Sequence, residues 1–268
     1  MLFRSLARDK LGDDKARYAL WLIAAYPFAL FFGAIYTESL FLLGTTAAWY
    51  HMTKQQYGRA SIWGLLVGLT RPNGVFLSVA LALLVLAPRL PSILGRRRTQ
   101  SAGLAKALAA AAMSGVGMLL YVAFVWRMTG HPLAWAEGHL AWGRTHQGIW
   151  ALVAHQYTFI ANAGLSGYMA TPGYDVLNTL GALFAIATVW PVARRFGIAY
   201  AAFILINLMP ALAEGGLLSA GRFSSVLFPA FIWLAGAIPG RHRTAWVVTF
   251  AAIQAFNAAL FYTWRPLF

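Results

Sequence analysis

Three stretches of this chain, 104–126, 175–193 and 245–264, are apolar over the roughly 20 residues that an α-helix needs to cross a bilayer. Nothing else constrains its fold as strongly. In a bilayer core each backbone N–H and C=O must be satisfied without water, and a helix does this within one segment. Apolar stretches at 18–35, 198–213 and 223–239 approach the same length, and a further one lies at 38–52. The pair 61–70 and 75–88 is different. Each is too short alone, and Arg71-Pro72-Asn73-Gly74 divides them. Proline removes a donor and glycine loosens the backbone, so a hairpin of two half-helices is expected here. The expected fold class is all-α, a polytopic transmembrane helical bundle forming one domain over 1–268.

Charge fits that reading. Only 10% of residues are charged, against about 25% in ordinary soluble domains. The formal charge of +14 would suggest nucleic acid in a soluble chain. Here the bases sit between apolar runs, and no polar stretch is long enough for a nucleic-acid-binding domain. No nucleic-acid partner is expected. Cysteine is absent, which excludes disulfides and thiolate metal sites.

Lys and Arg orient the bundle. If the N-terminus is cytoplasmic, residues 1–17 form a cytoplasmic arm. The inner side then also holds Lys54, Arg59, Arg89, Arg96 to Arg98, Lys106, Arg194, Arg195, Arg241 and Arg243. Outside lie Arg127, Arg144, Arg222 and Arg265, with Arg71 inside the membrane. This asymmetry follows the positive-inside rule. The hairpin then enters and returns, its Arg71-Pro72 turn deep in the membrane or near the outer face. Asp9, Asp13 and Asp14 belong to the basic arm, whereas Glu38, Glu137, Asp175 and Glu214 all fall outside. The outer loop 127–174 carries Trp135, Trp142, Trp150 and four histidines. Within it, 149–163 reads as an interfacial or re-entrant helix.

Several residues are candidates for chemistry. Glu38, within Tyr36-Thr37-Glu38-Ser39, is an expensive carboxylate between apolar helices. It either lines a substrate cavity with Tyr36, Thr37 and Ser39, or caps a helix beginning near 38. Arg71 at a helix break needs an anion. That anion is a lipid phosphate, which a guanidinium grips in a fork, or Glu38 in a buried ion pair. Asn73 in the same turn and Glu137 in the outer loop are further cavity candidates. Arg222, in Ser219-Ala220-Gly221-Arg222-Phe223, is expected to open the helix over 223–239. There it binds phosphate alongside free backbone N–H groups, or snorkels. No HExxH, P-loop, GxSxG or dinucleotide fingerprint is present. No metal or cofactor is expected.

The run Tyr26-Pro27-Phe28 through Tyr36-Thr37-Glu38-Ser39-Leu40-Phe41-Leu42-Leu43 resembles a signature of the PIG-V mannosyltransferases. These act in GPI-anchor assembly and have bacterial relatives. Gly68-Leu69-Thr70-Arg71-Pro72-Asn73-Gly74 resembles the family's Thr-Arg-Pro turn, and Gly221-Arg222-Phe223 with Leu227-Phe228-Pro229 its late element. The resemblance implies a GT-C type membrane glycosyltransferase. It implies a polyprenyl-phosphate-sugar donor such as dolichyl-phosphate-mannose, and a lipid or glycan acceptor on the outer face. It also implies an aspartate general base in a first outer loop. That loop would precede residue 1, so the chain is expected to be a fragment lacking it; the alternatives are that Glu38 does the work of the base or that catalysis is lost. A bacterial cell membrane is the expected location, in contact with membrane lipids. Two other classes stay open: a transporter or flippase, and a non-catalytic membrane subunit.

The orientation is testable because the chain has no cysteine of its own. A cysteine at Gln100 is expected to resist a membrane-impermeant maleimide in intact cells, and one at His131 to react. Labelling at Gln100 would reverse the assignment.

Overall fold

A computed structural model describes residues 1–89, 101–138, 147–170, 173–213 and 216–265. The basic run Arg96 to Arg98 and residues His139, Trp142, Arg144, His146 and Glu214 lie outside these. The described residues are all-α. The helices are α1 (Leu2–Leu11), α2 (Asp13–Ala24), α3 (Glu38–Thr53), α4 (Tyr57–Thr70), α5 (Phe76–Leu86), α6 (Ser101–Thr129) and α7 (Ala134–Glu137). They continue with α8 (Ile149–Met169), α9 (Gly173–Phe196), α10 (Ile198–Ala213), α11 (Ala220–Ser225), α12 (Phe228–Ala237) and α13 (Arg243–Tyr262). Among the described residues, four helical stretches are long and apolar enough to cross a membrane: Pro72–Arg89, Gly103–Thr129, Asp175–Phe196 and Gly240–Tyr262.

Three of those four match the three apolar runs of the sequence. The fourth corrects an expectation, because the second arm of the hairpin is not a half-helix. Pro72 opens a 3-10 turn, Pro72–Val75, that runs straight into α5. Proline fits at a helix start, where its missing N–H has no partner to lose. The first arm, α4, is short, as expected.

Glycines set the hairpin against α6. A Cβ on Gly68 would lie 2.0 Å from the Ser114 carbonyl oxygen, and one on Gly117 2.2 Å from that of Leu65. Gly64 faces Ser114 and Met113. As α4 advances from 64 to 68, its neighbours on α6 advance too, so the helices run parallel. Ser78 of α5 bonds Ser114 at 2.7 Å and accepts from the Gly115 N–H at 2.9 Å, tying the second arm to the same stretch. Beyond Met118, α6 continues to Thr129, roughly 15 Å further at about 1.5 Å per residue. The Arg71 turn is therefore inside the length of α6 rather than at its tip.

Two expected helices are broken. The stretch 18–35 leaves α2 at Ala24, and residues 25–37 follow as turns around a 3-10 segment, Ala29–Phe32. Proline at 27 cannot continue a helical ladder. The carbonyl of Pro27 instead accepts from the buried Asn257 side chain at 2.9 Å, and Tyr26 Oη bonds Ser224 Oγ at 2.6 Å. The stretch 223–239 divides into α11 and α12 because Pro229 starts a new helix after Leu227 turns out of helical geometry. Meanwhile 149–163 belongs to a longer helix, α8, kinked at Gly164, whose φ is 69°. Its start is held by the Gln147 and Gly148 N–H groups on the Ala213 carbonyl.

Aromatic rings fill the core. Trp49 is fully buried, its ring 4.6 Å from Tyr200 and 5.4 Å from Phe228. Phe184, Phe231 and Phe250 surround Tyr26 within 5.6 Å. The basic end of the bundle is stapled by ion pairs: Lys54–Asp9 at 2.8 Å, Arg4–Asp13 at 2.8 Å, and Arg243 with Asp14. Arg243 holds the Asp14 carboxyl below its usual range by hydrogen bond and charge, and Asp9 holds the Lys54 ammonium above its own. The arm, the α3–α4 turn and the start of α13 thus share one end.

Packing at Gly68 yields a stability test. Gly68→Ala is expected to lose about 1–3 kcal/mol through overpacking against α6. Gly103→Ala, where the space beside the backbone is open, is expected to be neutral or slightly stabilising. Thermal unfolding in detergent measures both, and equal melting temperatures would contradict the α4–α6 contact.

Candidate functional site

Three segments far apart in sequence meet at one carboxylate. Glu38 opens α3, and its side chain is 1% exposed. Its Oε1 lies 3.2 Å from Arg71 Nη2 and 3.3 Å from Arg222 Nε. The two arginine side chains are 9% and 12% exposed. Glu38 Oε2 is buried and has no hydrogen-bond partner among the described residues.

Local sequence aims each arginine. The residue before a proline is pushed out of helical geometry, and Arg71 takes an extended backbone with φ −165° and ψ 152°. That single residue ends α4 and turns its side chain toward α3. The next turn needs Gly74, because a Cβ there would lie 2.3 Å from the Val67 carbonyl oxygen. The turn folds back on α4 and closes with Gly74 N–H on the Arg71 carbonyl at 2.9 Å. Asn73 is buried beside it, its Nδ2 without a hydrogen-bond partner among the described residues.

Arg222 is held from below. The Gly221 N–H donates to Asn178 Oδ1 at 2.8 Å, and Ser224 Oγ donates to the Gly221 carbonyl at 2.6 Å. A Cβ on Gly221 would sit 2.1 Å from the Phe28 ring, and one on Gly181 2.6 Å from Gly221 Cα. This corrects the expected phosphate site at a helix start. Arg222 lies within the short helix α11, and the Ala220, Gly221 and Phe223 N–H groups are spent on Leu217, Asn178 and Ser219. What Arg222 offers a ligand is its guanidinium.

Aromatic rings complete the surroundings. The Arg71 guanidinium carbon stands 4.9 Å from the Phe223 ring centre and 5.2 Å from that of Phe41. That of Arg222 stands 4.8 Å from Tyr36 and 5.8 Å from Phe31. Ring faces attract cations, so these contacts help hold both guanidinium groups in apolar surroundings.

The remaining candidates divide. Tyr36 touches the cluster through Arg222. Thr37 and Ser39 are exposed, and Thr37 takes the N-cap position of α3 without a side-chain cap bond. The capping reading of these residues therefore gives way: Glu38 turns to the arginines. Glu137 is exposed on α7, and no contact among the described residues ties it to the cluster. For Arg71, the buried pair with Glu38 is present, and a phosphate partner would add to it. Asn178, Tyr26 and Phe28, which position α11, were not among the sequence candidates. Asn178 had a signal: it is an amide inside an apolar span.

A carboxylate shared by two guanidinium groups orients both, and this arrangement suits an anion that bridges them. As a base, Glu38 would meet an acceptor hydroxyl only if the cluster opened, given its burial. Comparison with protein-family models, with characterised proteins and with solved structures gave no match for this chain.

The cluster predicts coupled stability. Removing one partner of a buried ion pair costs about 3–5 kcal/mol, because the charge left behind is uncompensated. Glu38→Gln is expected to lower the melting temperature in detergent sharply. Adding Arg71→Met to it is expected to restore part of the loss, since the second change removes one stranded charge. Additive losses would show that the two residues do not interact.

Proposed function

We propose that the chain belongs to a membrane glycosyltransferase that takes a mannose-type sugar from a polyprenyl-phosphate donor. One observation carries this reading. The Glu38, Arg71 and Arg222 segments, each of which resembles an element of the PIG-V mannosyltransferases, converge on a single buried cluster. The pairing of α3 with α4 already brings the Glu38 and Arg71 segments together, so the weight falls on the Arg222 segment, which comes from a remote part of the chain and which a chance match would have no reason to place there.

The chemistry fits the charges. In transfer, the bond between the anomeric carbon and the donor phosphate oxygen breaks, and a bond to the acceptor oxygen forms. The acceptor proton goes to a base, and the departing phosphate gains negative charge. Two guanidinium groups fixed in low-dielectric surroundings stabilise that charge as it develops, with no reorganisation at the moment of reaction. Arg71 and Arg222 hold the phosphate, Glu38 fixes their spacing, and Tyr36 and Asn73 border the same place. In this reading the bundle is multi-pass. Its basic end is cytoplasmic, and the cluster lies toward the outer face, where a lipid-linked or glycan acceptor waits.

The test is binding of a polyprenyl phosphate to the purified chain in detergent. Arg71→Lys keeps the charge but loses the fork that grips two oxygens. It is expected to keep the melting temperature within a few degrees and to weaken binding about tenfold or more. Absence of binding by the wild-type chain, or equal affinity for Arg71→Lys, would remove the proposal. Turnover of polyprenyl-phosphate-mannose that disappears in Glu38→Gln, at a temperature where that variant stays folded and still binds polyprenyl phosphate, would make Glu38 the general base.

A further inference from the structure

The end of the bundle opposite the Glu38 cluster carries an excess of positive charge that its own acids do not neutralise. Asp9, Asp13 and Asp14 are each engaged, by Lys54, Arg4 and Arg243. Arg8, Lys10, Arg17, Arg59, Arg194 and Arg241 are exposed there, with no acidic partner among the described residues. Contacts bring their helices to one end. Lys10 lies over the Tyr200 ring at 5.2 Å, joining α1 to the start of α10. The Arg195 guanidinium covers Gly236, joining the end of α9 to that of α12. Arg243 stacks on Tyr18 at 5.2 Å, joining the start of α13 to α2.

A second, independent feature marks a level on this end. Trp21, Trp190 and Trp246 are 65%, 69% and 41% exposed on three different helices. Each stands one helical turn toward the middle of the bundle from an arginine: Arg17 on α2, Arg194 on α9 and Arg243 on α13. Arg194 stacks on Trp190 at 5.4 Å. An outward indole favours the boundary between hydrocarbon and headgroup. An arginine one turn beyond, roughly 5 Å outward, stands at the level of lipid phosphates. The repeat on three neighbouring helices, whose rings meet around Tyr26, makes this a shared collar rather than a feature of one helix.

We infer that this tryptophan–arginine collar is a binding surface for anionic phospholipid headgroups. The indoles seat the collar at the interface. Arg17, Arg194 and Arg241, which have no acidic partner among the described residues, take the phosphates and the extra negative charge of acidic lipids, while Arg243 stays with Asp14. Helix α1 adds to it. Its apolar residues Phe3, Leu6 and Ala7 are buried against the bundle, which leaves Arg8 and Lys10 facing outward at the same end. A juxtamembrane cation near an acidic surface contributes a small attraction, and many of them sum.

The test is a titration of the purified chain in detergent with phosphatidylglycerol or phosphatidylcholine of identical acyl chains, bound lipids being counted by native mass spectrometry. The wild-type chain is expected to prefer phosphatidylglycerol. Arg17→Gln, Arg194→Gln and Arg241→Gln together are expected to erode the preference by about fivefold for each charge removed. Arg127→Gln with Arg265→Gln, at the other end, is expected to leave it intact. Added salt is expected to shrink the wild-type preference, a check that needs no variant. Equal affinity for the two lipids in the wild-type chain overturns the inference. So does a salt-independent preference, a preference unchanged in the triple variant, or the same loss in the control pair.

Discussion

A buried carboxylate that serves two guanidinium groups is the interaction on which the upper half of the structure depends. Bringing three charges out of water is costly, and only close mutual contact offsets the cost. The start of α3 and the turn after α4 already lie together, because α3 and α4 pack as an antiparallel pair; the carboxylate fixes how Arg71 and the remote short helix α11 meet there. The breaks in the chain serve this end. Pro72 pushes Arg71 out of α4 toward Glu38, and Pro229 lets α11 end early, with Arg222 on a six-residue helix instead of on a long one.

Broken helices leave polar backbone groups inside the bundle, and two of them are met by side chains drawn from elsewhere. Asn257 of α13 donates to the Pro27 carbonyl and Asn178 of α9 accepts from the Gly221 N–H, while the Tyr26 and Ser224 side chains bond each other across the same region. Glycines then allow the close approaches that these bonds need. Gly221 lies against the Phe28 ring and Gly181 against Gly221, while Gly68 and Gly117 let α4 meet α6 backbone to backbone. Such close contacts are how helices gain dispersion energy where water contributes little. The two ends of the bundle thus differ in kind. One is a buried, aromatic-walled charge cluster; the other is an open rim of cations paired only where an aspartate is at hand.

The proposed activity and the proposed lipid collar rest on these different ends and on different physics. Phosphate recognition at the cluster needs two arginines in fixed geometry, so replacing one by lysine matters. Attraction at the rim needs only charge at a given depth, so it falls with salt and with the number of bases. A polyprenyl-phosphate substrate and its acidic-lipid surroundings would then be held by separate parts of one molecule.

The sequence alone determined the all-α class and the spans 104–126, 175–193 and 245–264, because an apolar run of that length has few other solutions. It also identified Glu38, Arg71 and Arg222, since charges within apolar stretches stand out by their cost. It did not determine that 18–35 and 223–239 would break, or that 72–89 would make one continuous helical stretch. A proline within an apolar run ends a helix, kinks it or starts a new one, depending on which side chains can receive the freed backbone groups. Those side chains, Asn257 for Pro27 and Asn178 for Gly221, come from remote positions. Nor did it decide between phosphate and Glu38 as the partner of Arg71, or link either to Arg222. Local pattern gives the cost of a buried charge, and only tertiary packing decides which opposite charge arrives to meet it.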